Sequence, residues 1–174
     1  MIEKLRLTRA MILGIFCLSI LSGCADGLED KKHKQRVAEL EDRAHLRSTL
    51  RPLVGTYVGD VSNEAMGKDP FPVQLIVFIG EEPDGVNENG ELKLRPELRA
   101  LYRRLDYRYD SSSEKNLIGR FYVETSSLTF VSQTNMSREN ESVTFAGVYR
   151  DGEIAGELSN YRGVMGLMKV KRLK

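Results

Sequence analysis

Residues 53–174 contain no histidine, no cysteine and no tryptophan. Nucleophilic catalysis needs a base beside the nucleophile, so the common Ser–His and Cys–His arrangements are unavailable there. Ser111 and Lys115 supply the residue types of a Ser–Lys pair, but they sit in a polar run with the composition of a loop. Glu81, Glu82, Asp84, Glu88 and Glu91 are dense enough for general acid–base work. They share a Pro/Gly/Asn-rich connection, where acids are expected to stay solvated with unshifted pKa values. Asp84, Asn87 and Asn89 are oxygen donors of the calcium-binding kind, yet an EF-hand loop would need an acid at 85 and Glu at 96. Those places hold Gly85 and Pro96. The expectation is a non-enzymatic chain without catalytic residues, metal or cofactor.

The chemistry that remains is recognition. Tyrosine and arginine interleave at Tyr102 to Arg104, Tyr107 to Tyr109, Arg120 to Tyr122, Tyr149 with Arg150 and Tyr161 with Arg162. Aromatic faces and guanidinium groups can line a cavity for an anionic or sugar-bearing ligand. Tyr57, Tyr107, Tyr109, Tyr122 and Arg120 are the candidate ligand-binding residues. Against that stands the alternation of strands, which sends Arg108 and its tyrosine neighbours to opposite faces. The near-balance of 26 basic against 25 acidic residues gives no electrostatic reason to expect nucleic acid as a partner.

The elements that must carry these residues begin after an N-terminal segment of different character. Lys4, Arg6 and Arg9 precede an apolar run from Ala10 to Leu21, which is shorter than the roughly 20 residues of a spanning helix and is soon followed by Asp26. Leu21-Ser22-Gly23-Cys24 resembles the lipobox of bacterial lipoproteins. That resemblance implies a diacylglyceryl group on the Cys24 thiol, cleavage before it and acylation of the freed amine. Residues 1–23 are then the signal peptide. The mature 151 residues keep 23 basic against 24 acidic side chains and one cysteine, the lipidated one. Two or more acyl chains give stable anchoring at about 0.8 kcal/mol per buried CH₂, so the membrane is an expected partner. Ala25, not Asp, follows the cysteine, which by the same resemblance points to the outer membrane, facing the periplasm or the cell surface.

Residues 24–52 read as a lipid-anchored helical tether. They are dense in helix formers, Val37, Leu40 and Ala44 share one face, and Glu39 with Arg43 forms an i, i+4 pair. Pro52 should end the helix near Leu50 or Arg51. The apolar stripe is narrow, and Arg47 interrupts it, which argues against a sustained coiled coil. His33 and His45 lie twelve residues apart, not at the i, i+4 spacing of a shared metal.

From Leu53 the period becomes two, with turn residues at short intervals. The expected strands are 53–61, 72–79, 91–95, 105–109, 117–124, 127–132, 142–150, 153–159 and 164–171, with one helix over 96–104 opened by Pro96. Asn89-Gly90 and Asp151-Gly152 are type I′ hairpin signals. The fold class is all-β, a small antiparallel up-and-down barrel or barrel-like sandwich over 53–174, preceded by an N-terminal helix. A transmembrane barrel fits poorly, because most strands are short and Arg103, Arg104, Arg108 and Arg120 would be costly against lipid.

Gly55-Thr56-Tyr57, together with the hairpin from Phe145 to Leu158, resembles the lipocalin-like barrels of the calycin group, with Tyr57 where lipocalins carry Trp. The resemblance implies the fold class alone. The leading functional expectation is a lipid-anchored binding module holding an apolar or amphipathic small ligand in the barrel. The alternative is a structural lipoprotein with a packed interior that docks another envelope protein.

Overall fold

A computed structural model describes residues 29–63, 68–87, 89–106, 114–132, 142–160 and 162–174. The chain divides into two compact units, Met1–Ala44 and His45–Lys174. Helix α1 covers residues 29–50. Its part up to Ala44 is largely solvated. Leu40 is 64% exposed, and Lys34 Nζ donates to Asp30 Oδ2 at 2.8 Å, an i, i+4 pair worth about 0.3–0.5 kcal/mol. The helix ends where Pro52 predicts, and a 3₁₀ turn, Arg51–Leu53, follows it. Among the described residues, no helix is long and apolar enough to cross a membrane.

The second unit is a closed barrel of eight strands: β1 (Gly55–Asn63), β2 (Lys68–Val86), β3 (Leu92–Arg104), β4 (Glu114–Tyr122), β5 (Ser127–Ser132), β6 (Val143–Arg150), β7 (Glu153–Asn160) and β8 (Gly163–Arg172). Each strand pairs antiparallel with the next, and β1 closes on β8 from Tyr57↔Arg172 to Ser62↔Leu167. The antiparallel up-and-down barrel expected from the period-two pattern is what forms, and closure removes the edges a sandwich would leave. Alternate residues face inward: Val73, Leu75 and Val77 on β2, Leu128 and Phe130 on β5, Met168 and Val170 on β8. Exposed Arg120, Lys169 and Lys171 lie on the outside, the reverse of a lipid-facing barrel.

Several expectations fail. Residues 96–104 are strand, not helix, and they join 91–95 in one long β3. Leu98, Leu101, Tyr102 and Leu105 satisfy a helical face, but Leu98, Ala100 and Tyr102 are the buried set, a period of two. Pairing with both β2 and β4 overrides the local helical preference, and Pro96 is tolerated because β4 reaches β3 only from Leu98 onward. Leu105 and Asp106 form a bend, and 107–109 of the expected strand fall outside the described residues. Asp151 and Gly152 form the expected two-residue turn, with φ of 49° and 80°. At Asn89-Gly90 the two-residue turn does not form. The Asn87 Oδ1 accepts from the amides of Asn89 (3.0 Å) and Glu91 (2.8 Å), a wider loop in which Gly90 takes the positive φ.

Beyond Val77 and Leu98, β2 and β3 pair only with each other, so the hairpin reaches past the rest of the barrel as a two-stranded arm. Arg47, on the last turns of α1, holds Glu81 of this arm. The Glu82 carboxyl, also on the arm, is not the unshifted acid expected from its loop-like surroundings. Desolvation and the neighbouring Glu97 carboxyl raise its pKa above the ordinary carboxylate value.

Candidate functional site

One end of the barrel is corked by the chain that leads into it. Leu50 and Leu53 are buried, and the Pro52 carbonyl accepts from Tyr149 Oη at 2.9 Å and from the Arg172 guanidinium. Tyr57 Oη donates to Leu53 O at 2.7 Å and accepts from Arg172 Nη2 at 2.9 Å. Phe121 meets Tyr149 edge-to-face beside them, with ring centroids 6.5 Å apart. Burial raises the Tyr57 pKa, and the Arg172 hydrogen bond opposes that shift in part.

The middle of the barrel is a side-chain core. Tyr57, Leu75, Phe130 and Leu158 have no accessible surface, so no water-sized void adjoins them. Large rings lie over wall glycines: a Cβ on Gly119 would come within 2.5 Å of the Phe130 ring, and one on Gly147 within 2.5 Å of Phe145. Tyr102 also belongs to this core, but its hydroxyl has no hydrogen-bond partner, and burial pushes its pKa well above the ordinary tyrosine value. A buried unsatisfied hydroxyl costs about 1–3 kcal/mol. Tyr102→Phe is therefore expected to raise stability by about 1 kcal/mol in urea denaturation; a loss of stability would mean the hydroxyl has a partner.

At the other end the inward face turns polar. The positions that continue the core outward carry Asn63 after Val61, Phe71 and Asp69 before Val73, Arg104 after Tyr102 and Asn160 after Leu158. With Met165 and Val164 these residues line a recess of about 620 Å³. Its side chains are held in place. Asn63 Nδ2 donates to Met165 O at 2.7 Å, and Asn160 Oδ1 accepts the Arg162 amide at 2.8 Å. The Arg104 guanidinium lies 3.9 Å from the centroid of the Phe71 ring, and its Nε donates to Asp106 Oδ1 at 3.0 Å.

The residues singled out from sequence are not gathered at this recess. Tyr57 belongs to the cork. Arg120 and Tyr122 point outward from β4, with Tyr122 52% exposed. Tyr107, Tyr109, Cys24, Leu21, Ser22 and Gly23 lie outside the described residues. The recess residues are not Tyr–Arg neighbours along the chain, so that pattern does not point to them. The usable signal was a polar residue at an inward position on a strand end, such as Asn63 in step with Tyr57 and Val61. Among the described residues, no group of three or more His, Cys, Asp or Glu could hold a metal ion. Neither a protein-family model nor a curated protein sequence matches the chain.

Proposed function

We propose that this chain is a lipid-anchored, non-enzymatic binding module of the bacterial envelope, acylated at Cys24 and carrying a barrel that takes a small amphipathic ligand. The ligand sits in the recess at the open end and not among the core side chains, as the sequence alone had suggested. The observation that carries this reading is the recess of about 620 Å³ on a barrel corked at its other end and apolar-packed between. That volume falls within the roughly 300–1,000 Å³ of small-molecule sites, and its walls combine apolar Phe71 and Met165 with polar Asn63, Asp69 and Asn160. The anchor rests on the lipobox residues Leu21, Ser22 and Gly23 ahead of Cys24, and the placement at the outer membrane on Ala25.

Two measurements test it. Cys24→Ser is expected to abolish incorporation of radiolabelled palmitate and release the protein from sedimented membranes; unchanged labelling would overturn the anchor. Native mass spectrometry of the full chain is expected to show a retained small molecule or saturable uptake of one, and a ligand-free protein indifferent to every added compound would overturn the binding reading.

A second reading, docking of another envelope protein, is favoured by the tip of the β2–β3 arm. Val86 is 63% exposed there, and Leu92 opposite it 60%. In-membrane crosslinking that captures one dominant protein through the arm, with the recess empty, would select this reading over the first.

A further inference from the structure

We infer that two membrane-anchored copies of this chain pair in parallel through the exposed face of α1, along residues 33–44. The inference goes beyond ligand binding and rests on the Cys24 anchor proposed above.

The face is a stripe open to solvent. At roughly 100° per residue, His33, Val37, Leu40 and Ala44 fall within an arc of about 60° on α1. All four are exposed, with Val37 at 39% and Leu40 at 64%. Written as heptads, Val37 and Ala44 take the a positions, and His33 and Leu40 the d positions. A β-branched residue at a with leucine at d favours two parallel strands over a larger bundle. Asp30 and Arg47 stand at the next a and d positions, so the seam ends on both sides after less than two heptads. It is a short patch, not a sustained coiled coil.

The flanking charges select the occupant and its direction. The g positions hold Glu29, Arg36 and Arg43, and the e positions hold Lys34, Glu41 and Ser48. In a parallel pair each g residue meets the e residue five places on in the other helix. Glu29 then meets Lys34 and Arg36 meets Glu41, twice each by symmetry, while Arg43 meets the neutral Ser48. The helix is thus complementary to a second copy of itself. An antiparallel pair loses this match, because it sets g against g and brings Arg36 towards Arg43. Lys34 bonds Asp30 of its own helix at 2.8 Å, but both side chains are exposed, so the lysine turns to the second copy without stranding a buried charge.

So short a seam is weak between free molecules, since exposed ion pairs contribute little and few apolar side chains are covered. Acyl anchors change that balance. Copies held in one leaflet share their polarity, which is the parallel arrangement the charges favour. Confinement to a surface also raises the concentration each copy presents to the other, and binding strengthens with no new contact. The module then stands on the membrane in pairs.

The test is cysteine crosslinking of the full chain in native membranes under mild oxidation, where the acylated Cys24 leaves an introduced thiol without competition. Leu40→Cys is expected to give a disulfide-linked dimer, and Asp42→Cys, exposed on the opposite face of the helix, is not. Ala44→Cys alone is expected to crosslink too, which an antiparallel pair, setting Ala44 against His33, forbids. Added to Leu40→Cys, either Arg36→Glu or Glu41→Lys is expected to lower the dimer yield about fivefold, since each replaces attraction by repulsion on both sides of the seam. Co-expressing the two charge variants is expected to restore the yield, because the new acid of one then faces the new base of the other. Equal yields from Leu40→Cys and Asp42→Cys, or dimers indifferent to the charge variants, overturn the inference. A crosslinked product of another mass means that a different protein covers the face, and the second copy falls. Palmitate labelling of the same membranes separates the two readings. Labelled, sedimenting protein that does not crosslink overturns the seam alone, whereas unlabelled protein released from membranes overturns the anchor and the pairing with it.

Discussion

Tyr57→Ala is expected to destabilise the barrel by about 3–5 kcal/mol, the range for removing a large ring from a core that cannot collapse around the gap. The ring has 0% exposure, and it is a joint as well as a filler. Its hydroxyl donates to Leu53 O and accepts from Arg172, tying the 3₁₀ turn to the end of β8. Tyr57→Phe separates the two roles. It keeps the ring and leaves the buried Leu53 carbonyl without that donor, for an expected loss of about 1–3 kcal/mol. Urea denaturation followed by circular dichroism measures both, and a Tyr57→Phe protein as stable as the parent would show that the joint contributes nothing. The pH dependence follows from the raised Tyr57 pKa. The folded state holds the phenolic proton more tightly than the unfolded chain, so this contribution is complete below the ordinary tyrosine value of about 10 and is lost as pH rises through the higher folded value. The alkaline decline in stability should be shallower in Tyr57→Phe. The same substitution at Tyr102 has the opposite expected sign at neutral pH, because there the hydroxyl is unpartnered.

Gly59→Val is expected to prevent closure of the barrel. A Cβ at that position would stand 2.0 Å from Lys169 O and 2.8 Å from Val170 Cα, both main-chain atoms of β8. Flexible side chains can swing aside from such an intrusion, but here the strand itself would have to move. β1 pairs with β8 through Gly59↔Val170, so the cost falls on the seam that closes the barrel. Ordinary overpacking costs about 1–3 kcal/mol, and this substitution should exceed it and yield little folded protein by gel filtration and amide NMR dispersion. Gly85→Ala is the control. No atom lies within 4 Å of its added Cβ, so only the positive φ of 82° is penalised, at about 1–2 kcal/mol. Equal stability for the two variants would mean that the seam yields more than this geometry allows.

How far the fold could be read in advance depended on whether a local pattern had one physical solution. Asp151-Gly152 had one, since both residues accept positive φ and the flanking strands are in register on either side. The end of α1 had one, because Pro52 disfavours helix at the residue before it. Residues 96–104 had two, since Leu98, Tyr102 and Leu105 fit a helical face while Leu98, Ala100 and Tyr102 fit a strand. Neighbouring strands on both sides resolved the ambiguity. Asn89-Gly90 also had two, and the Asn87 side chain selected the wider loop.

The candidate site was less legible, for a geometric reason. Alternation along a strand separates two faces but does not say how deep a given rung lies in a closed barrel, nor which rungs of distant strands share a level. Tyr57, Arg120 and Tyr122 look alike as members of aromatic-rich strands, yet one seals the cork and two face outward. Asn63, Asp69, Arg104 and Asn160 are unremarkable in the chain, where nearly one hundred residues separate the first from the last. They come together in one polar lining because closure of the eight-stranded sheet gathers the ends of β1, β2, β3 and β7 around the recess. The strand-built class, the helix ahead of it and the absence of histidine and cysteine from residues 53–174 were all legible in the chain. Where the barrel is packed, where it is corked and where the recess lies emerge only on closure of the sheet, because those properties belong to all eight strands together and not to any one of them.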